Sequence, residues 1–440
     1  MDAGRVLEGP ISPVAFHGSL AAVQRPRTIE ETGLGEVLLL DLLAKHLQET
    51  GVLDLGELAQ RTALSGVLLE EVLALLRSEG RVEVRGRDEA RGFLRYALTD
   101  RGRAAAMEAM GRDGYVGPAP VPLAEYHRII ARQSLGACTT DRSAVHRAFD
   151  DTVIRPELLD QLGPALHSGR AMFLYGAPGT GKSFIARRLA RLLPGPVLIP
   201  HGIAVAGKTV RCFDPGLHRP VTEASAGRAN VHLGQGHDPC YVLCERPVVI
   251  TGGELTMDML ELQYEESTRS YEAPVQMRAN NGMLVIDDLG RQRLEPIELF
   301  NRWIVPLEEH RDFLALRSGH HFQVPFDVAL VFSTNLNPLE LADEAFLRRI
   351  GYKIRFEYLS PGEYEAIWAQ VCGERQIPHD DALARFAVQE LHGARDVPLL
   401  PCHPRDLIEL GLDHARYLAR ETLTPDDIRW AWDNYFVQLH

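Results

Sequence analysis

The stretch FLYGAPGTGKSFIARRLA, from Phe173 to Ala190, decides the fold of this chain. Its centre, GAPGTGKS, matches the pattern G-x-x-x-x-G-K-[ST] at every fixed position. The apolar residues before this centre are typical of a strand, and SFIARRLARLL after it is typical of a helix. Glycines allow the backbone to curl so that its N–H groups and the helix N-terminus point at phosphate oxygens. The stretch therefore predicts a phosphate-binding loop between a strand and a helix.

This loop predicts separate tasks for its side chains. Lys182 would reach the outer phosphates of ATP, and the Ser183 hydroxyl would bind Mg2+. The remaining predicted contacts to ATP come from Gly176, Ala177, Pro178, Gly179, Thr180 and Gly181. A chance match in a structural loop is the alternative, and the strand and helix flanks argue against it. ATP and Mg2+ are therefore the expected cofactors.

Two later apolar stretches also end in polar residues. MLVIDDLG is typical of a buried parallel strand and ends in Asp287 and Asp288. We expect Asp287 to hold Mg2+ through water, and Asp288 to orient or deprotonate the attacking water. VALVFSTN ends at Asn335, which would hydrogen-bond the attacking water or the γ-phosphate. Two acids on a turn could instead cap the next helix, but the phosphate loop upstream favours ATP hydrolysis.

Three arginines further along the chain are candidates for the same nucleotide site. Arg348 and Arg349, in LADEAFLRRIGYKIRF, lie near a predicted helix end before another strand. Arg405, in HPRDL, lies in the helical section that begins near Ser360. Taken alone, an arginine pair is usually a solvated surface pair, so only the order of the motifs gives these residues a role.

That order resembles the AAA+ ATPase family over about two-thirds of the chain, from about Asp141 onward. The resemblance implies an α/β fold, in which a P-loop core with a parallel sheet precedes a C-terminal helical lid. In the family's terms, Gly176 to Ser183 resembles Walker A, and Asp287 with Asp288 resembles Walker B. Many members have glutamate where this chain has Asp288, and the shorter arm shifts the attacking water.

The resemblance also gives roles to the remaining polar residues. Asn335 resembles sensor 1, and Arg405 resembles sensor 2 on the helical lid. Arg349, or its neighbour Arg348, resembles the arginine finger. Such a finger completes the site of a neighbouring subunit, so the resemblance implies a homo-oligomer, with a ring as the expected form.

A hairpin is predicted just before the strand that ends at Asn335, because FLAL and HFQVP flank the turn RSGHH. It is similar to the pre-sensor-1 β-hairpin of the AAA+ branch that contains MoxR-like ATPases. In those relatives the hairpin faces the central channel or a partner, which implies that role for Ser318, Gly319 and His320. The arrangement also resembles bacterial AAA+ proteins described as ATPases with chaperone activity.

The N-terminal third has a different sequence pattern. EVLLLDLLAKHLQETG, DLGELAQRTAL and SGVLLEEVLALLRSEG predict three helices, the last with Ser65 as its N-cap, and RVEVRG with FLRYALT predicts a hairpin. The pattern resembles a winged helix. Its third helix is acidic, with Glu70, Glu71 and Glu79 against Arg77. The wing carries Arg85, Arg87, Arg91 and Arg95, which could contact DNA phosphates or form a solvated face.

These observations predict five sections of chain. They are a flexible arm at 1–32, the winged-helix domain at 33–112, a linker at 113–140, the ATPase core at 141–358 and the helical lid at 359–440. The linker follows from the glycines and prolines of GRDGYVGPAPVP. The interval from Lys182 to Asp287 is longer than such a core needs, which predicts an insertion around 200–275 with added β-structure followed by a helix and loop.

The insertion offers two weaker hypotheses. Its Cys and His residues could hold zinc, although paired ligand motifs are lacking and isolated packing is the alternative; they are Cys212, His218, His232, His237, Cys240 and Cys244. Tyr264 and Tyr271 could be channel aromatics or plain packing residues.

Composition limits the function. The 440 residues carry a formal charge of -13, which disfavours broad nucleic-acid binding, and the six cysteines are too sparse for a disulfide scaffold. We expect a cytoplasmic protein, because no membrane span or secretion signal is visible. The leading hypothesis is an oligomeric ATPase that remodels or assembles protein partners. Alternatives are a DNA-directed regulator or loader, and a scaffold that binds ATP and barely hydrolyses it.

Overall fold

The computed structural model describes residues 23, 25–87, 92–137, 141–221 and 237–436. The chain divides into two compact units. Unit 1 comprises Met1–Cys138, Leu193–Leu284 and Glu298–Ala329, and unit 2 comprises Thr139–Leu192, Val285–Ile297 and Leu330–His440. His232 and Arg91, which the sequence singles out, lie outside the described residues.

The helices are α1 (Ile29–Thr32), α2 (Glu36–Thr50), α3 (Leu55–Thr62), α4 (Gly66–Ser78), α5 (Asp100–Arg112), α6 (Leu123–Arg132), α7 (Arg142–Ala148), α8 (Pro156–His167), α9 (Lys182–Arg188), α10 (Val275–Arg278), α11 (Pro296–Glu309), α12 (Pro338–Leu341), α13 (Glu344–Leu347), α14 (Pro361–Glu374), α15 (Asp381–Phe386), α16 (Cys402–Tyr417) and α17 (Pro425–Tyr435). The strands are β1 (Val52–Asp54), β2 (Val82–Arg87), β3 (Leu94–Leu98), β4 (Val121–Pro122), β5 (Met172–Gly176), β6 (Val197–Pro200), β7 (Gly202–Val205), β8 (Lys208–Arg211), β9 (Tyr241–Cys244), β10 (Val248–Thr251), β11 (Gln263–Glu265), β12 (Ser270–Glu272), β13 (Gly282–Ile286), β14 (Arg311–Ala315), β15 (His321–Pro325), β16 (Val328–Thr334) and β17 (Tyr352–Phe356).

The fold is α/β, and its largest parallel element is a five-stranded sheet in the order β10-β13-β16-β5-β17. In this sheet β16 and β17 flank β5 in parallel register, with Val331 and Tyr352 both opposite Met172. Every residue of β13 and β16 is buried, which explains the apolar runs MLVI in β13 and VALVF in β16. Parallel strands end at the same edge, so the polar residues after β5, β13 and β16 are brought together.

The N-terminal part of unit 1 forms helices α2 to α4 and an antiparallel sheet in the order β1-β3-β2. Local capping explains the helix starts. Asp54 and Glu57 form a capping box on α3, and the Ser65 hydroxyl accepts from Leu68 N at the start of α4, as its sequence predicts. The described end of the predicted arm lies on this domain, because Ser65 Oγ donates to Pro26 O (2.9 Å) and Ile29 N donates to Glu71 Oε2 (3.3 Å).

The segment predicted as a linker packs within unit 1 and includes β4 and α6. Ala119 N donates to Thr62 O at 2.7 Å, and the buried Tyr115 donates its hydroxyl proton to Pro118 O at 2.7 Å. A Cβ on Gly114 would lie only 1.8 Å from Thr268 O. Gly and Pro predict irregular backbone here, but they do not reveal whether that backbone is packed.

The insertion has the β-structure expected of its first half, since β7 and β8 pair antiparallel. The helix and loop expected of its second half is met only by one 3-10 turn, Met257–Leu260, and a hairpin follows where the loop was expected. There β11 and β12 pair with Gln263 opposite Glu272 and Tyr264 opposite Tyr271. Cross-strand packing of the two tyrosine rings, 4.9 Å between centroids, stabilises this hairpin, and Tyr271 is buried, which leaves it packed rather than lining an open channel.

The hairpin predicted around RSGHH is present as β14 and β15, with Arg311 opposite Pro325 and Ala315 opposite His321. Leu316 N donates to His320 O at 2.9 Å, which closes the turn that exposes Ser318, Gly319 and His320. At its base the buried Asp312 accepts from Arg302 Nη1 at 2.6 Å and from Gln276 Nε2 at 2.8 Å.

The helical section of unit 2 from Pro361 onward packs around its own core of Tyr364, Trp368, Leu407 and Trp432. Capping boxes start α14 at Ser360 and α17 at Thr424. Two buried histidines, His392 and His403, stack in this core with ring centroids 5.0 Å apart.

The described residues contain no helix long and apolar enough to span a bilayer, and no group of three or more His, Cys, Asp or Glu side chains suited to a metal. Both ring nitrogens of His218, a candidate zinc ligand, bond to protein instead, to Asp214 N and Arg278 O, each at 2.9 Å. Cys212, Cys240 and Cys244 are buried free thiols.

Candidate nucleotide site

The loop from Gly176 to Gly181 connects β5 with α9, in the strand-loop-helix context that its sequence predicts. Gly176 has φ +146° and Gly179 has φ +80°, both in the region that favours glycine. A Cβ on Gly176 would lie 2.2 Å from Phe356 O of the adjacent strand. These glycines therefore let the loop turn tightly against the end of the sheet.

Lys182 is the first residue of α9, and its side chain is buried at the centre of the loop. Its ammonium Nζ donates to Gly176 O at 2.9 Å, Ala177 O at 2.8 Å and Asn335 Oδ1 at 2.7 Å. Burial lowers the pKa of Lys182, while the negative charges of Asp288 and Asp287 oppose that shift. A cation is thus held where the loop turns, beside the end of β16.

Ser183 and Asp287 come from distant parts of the chain and meet directly. The Ser183 hydroxyl donates to Asp287 Oδ1 at 2.7 Å. Asp287 follows the last residue of β13, and its Oδ1 also accepts from Asp288 N at 3.1 Å. A hydroxyl and a carboxylate are the oxygen ligands that Mg2+ takes from proteins when phosphates and waters complete its octahedron. The pair fits the metal role predicted for both residues.

Asn335 lies between the two charged groups of the site. Its Oδ1 accepts from Lys182, and its Nδ2 donates to Asp288 Oδ1 at 3.4 Å. Asp288 itself has φ +51°, a left-handed conformation that is uncommon outside glycine, asparagine and aspartate. The structure thus brings together Lys182, Ser183, Asp287, Asp288 and Asn335, which the sequence selected separately.

The start of α16 lies against the loop, and sequence reasoning missed these residues. A Cβ on Gly179 would lie 3.0 Å from Cys402 Sγ and 3.2 Å from Leu400 Cδ1. A Cβ on Gly181 would lie 3.8 Å from Pro401 Cγ. The only sequence signal was Arg405 one turn later, and this arginine is exposed on α16.

The other two arginines lie at the end of α13. Arg348 is exposed and pairs with Glu344 at 3.6 Å, and Arg349 donates through Nη1 to Ala345 O. Their predicted role is to contact the nucleotide of a neighbouring subunit, and that of Arg405 is to contact this chain's own nucleotide. Both roles stay predictions.

Comparisons with known proteins give a partial view. Residues 360–434 match a family model described as a domain of unknown function, DUF8689, and no curated protein matches the chain. Among solved structures, the chain is similar to the Holliday junction branch migration motor RuvB of Thermotoga maritima, at 13% identity and TM-score 0.38, over 65% of this chain and 70% of that one. A single-substitution mutant of that protein gives 13% identity and TM-score 0.40, with 65% and 71% covered. NtrX from Brucella abortus gives 13% identity and TM-score 0.36, with 73% and 59% covered. TM-scores below 0.5 leave the assignment of function to the geometry of the site itself.

Proposed function

We propose that this chain is a Mg2+-dependent ATPase of the AAA+ type that works as a homo-oligomer and remodels or assembles protein partners. The observation that carries the proposal is the meeting of Ser183 Oγ with Asp287 Oδ1 at 2.7 Å, beside an ammonium bonded to Asn335. A P-loop lysine, a hydroxyl and two carboxylates at the ends of parallel strands form the arrangement needed for phosphoryl transfer to water.

The chemistry follows from the donors and acceptors of each side chain. Lys182 would exchange one of its present acceptors for an outer phosphate oxygen, because an ammonium has only three donors. Ser183 and Asp287 would hold Mg2+, which neutralises charge on the phosphates. Asp288 would accept the proton of the attacking water, and Asn335 would orient that water. Gly176 to Gly181 would contribute backbone amides to the phosphates.

Assembly is part of the proposal because an exposed arginine beside the core can act on a neighbouring copy. Arg348 is four-fifths exposed, and Arg349 is its neighbour at the start of the segment leading to β17. An arginine that enters an adjacent site stabilises transition-state charge and is worth about 10³- to 10⁵-fold in turnover. Arg405 would contact the nucleotide from α16 of the same chain.

Protein partners are favoured over DNA by the surface of α4. Glu70 and Glu71 are exposed on this helix, and their carboxylates repel phosphates. The N-terminal segment also occupies part of the helix, through the contacts of Pro26 with Ser65 and of Ile29 with Glu71. A helix so placed is suited to recruiting another protein rather than to entering a DNA groove.

The test separates binding from hydrolysis. Lys182→Ala should abolish binding of a fluorescent ATP analogue, whereas Asp288→Asn should bind it and lose turnover. Arg349→Ala, or Arg348→Ala if that neighbour is the finger, should lower turnover relative to wild type at the protein concentrations where sedimentation shows an assembled protein. Arg385→Ala, an exposed arginine on α15, is the matched control. Turnover that survives Lys182→Ala would overturn the proposed function, and salt-dependent DNA binding through the wing would favour the DNA-directed alternative.

A further inference from the structure

The turn that follows β13 is closed by Gln292, a side chain that the chemistry above does not use. Its Nε2 donates to Asp287 O at 2.8 Å, and its Oε1 accepts from Gly290 N at 2.8 Å. One side-chain amide therefore joins the first and last residues of the four-residue stretch from Asp287 to Gly290, which contains Asp288.

The same turn is tied to the end of β16. Leu289 N donates to Ser333 O at 2.8 Å, and Thr334 Oγ1 donates to Leu289 O at 2.8 Å. Ser333 and Thr334 directly precede Asn335, so the turn is fixed relative to the residue that Asp288 faces. Together with the Gln292 contacts, four hydrogen bonds hold the backbone on both sides of Asp288.

Such bonding matters because Asp288 adopts a left-handed backbone, with φ +51°. Aspartate and asparagine enter this region several times more often than other residues with side chains, since their short polar groups are tolerated there. Glutamate lacks this advantage. The conformation directs the Asp288 carboxylate so that its Oδ1 lies 3.4 Å from Asn335 Nδ2.

We infer that Gln292 is a positioning residue, which holds Asp288 left-handed with its carboxylate beside Asn335, and that this backbone selects aspartate over glutamate at position 288. The inference rests on the proposed function, because Gln292 would fix the geometry of Asp288, the residue proposed to accept the proton of the attacking water. The aspartate at position 288 then follows from the conformation of the turn, and it is not a less effective replacement for the glutamate of other AAA+ proteins.

The test compares four variants of the full chain in ATP turnover and in binding of the fluorescent analogue. Gln292→Ala removes both turn contacts and should lower kcat about 100-fold with the nucleotide Kd unchanged, since a displaced catalytic group costs on that order. Gln292→Glu keeps the acceptor for Gly290 N but loses the donor to Asp287 O, so it should fall between wild type and Gln292→Ala. Asp288→Glu should turn over more slowly than wild type. Glu295→Gln, an exposed change in the same segment, should behave as wild type.

The outcomes distinguish this inference from the proposed function. Wild-type turnover that Gln292→Ala leaves intact, or Asp288→Glu at or above the wild-type rate, overturns the inference alone. If the wild-type chain neither hydrolyses ATP nor binds the fluorescent analogue, the proposed function is overturned, and this inference is overturned with it. A loss of kcat in Gln292→Ala accompanied by an equal loss of folded protein, measured by thermal unfolding, assigns Gln292 a structural role only and also overturns the inference.

Discussion

Gly176 provides the sharpest test of how the predicted phosphate loop is built into the sheet. Replacing it with alanine places a Cβ 2.2 Å from Phe356 O, far inside contact distance, at a residue with φ +146°. The strained backbone costs about 1–3 kcal/mol, and forcing two packed groups apart costs about another 1–3 kcal/mol. We expect Gly176→Ala to lower the free energy of unfolding by about 4 kcal/mol.

Gly169 is the matched control, because it also has a positive φ, +63°, but a Cβ there meets nothing within 4 Å. Gly169→Ala should therefore show only the backbone penalty of about 1–2 kcal/mol. Urea unfolding followed by tryptophan fluorescence measures both variants in unit 2, where Trp368 and Trp432 are buried. The difference between the two variants isolates the contact with β17.

Equal destabilisation by Gly176→Ala and Gly169→Ala would refute this reasoning. It would mean that Phe356 of β17 does not lie opposite Gly176, and the loop would then lack the support that holds it at the end of the sheet. If Gly176→Ala lowers the free energy of unfolding more than Gly169→Ala does, and both variants keep the wild-type m-value, the contact is supported. An unchanged m-value shows that the surface exposed on unfolding is the same.

Three further predictions concern other parts of the molecule. Asn335→Ala should lower ATP turnover about 100-fold without weakening nucleotide binding, as measured by parallel turnover and fluorescence titrations. Burial lowers the pKa of His403 to about 4, against 6.5 in the unfolded chain, so the unfolded state binds protons first as the pH falls. The free energy of unfolding should therefore be about 2 kcal/mol lower at pH 5 than at pH 7.5. His403→Gln should flatten this pH dependence, and the exposed His379→Gln should leave it unchanged. Arg302→Met leaves the buried Asp312 carboxylate without its 2.6 Å partner and should destabilise the protein by about 3 kcal/mol in urea unfolding, whereas Arg302→Lys should recover part of the loss.

The sequence was sufficient for features that depend on local pattern. The apolar runs of β13 and β16 predict buried parallel strands, and the topology of such strands brings Asp287 and Asn335 to one edge. The glycine-rich motif predicts where Lys182 and Ser183 stand relative to that edge. The α/β fold and the five residues of the central site follow from these two rules.

Features that depend on contacts between distant segments were not visible. Gln292 has no motif, and its role arises only when its amide meets Asp287 O and Gly290 N. Cys402 and Leu400 are ordinary helix-start residues until they lie against Gly179. The sequence predicts a helix and loop in the second half of the insertion, whereas the pairing of Tyr264 with Tyr271 makes a hairpin there. In each case a tertiary contact overrides a weak local preference.

The contacts of Asn335 predict that binding and hydrolysis respond differently when it is removed. The three shortest hydrogen bonds of Lys182 use all of its ammonium protons, so a phosphate oxygen can bind only by displacing an acceptor. Gly176 O and Ala177 O belong to the loop that would cradle the phosphates. Asn335 follows the last residue of β16, outside that loop, and its Oδ1 is the acceptor that gives way. Asn335→Ala removes that competition and should leave nucleotide binding equal or tighter. It also removes the amide beside Asp288, so turnover should fall, and weaker binding with full turnover would contradict this account.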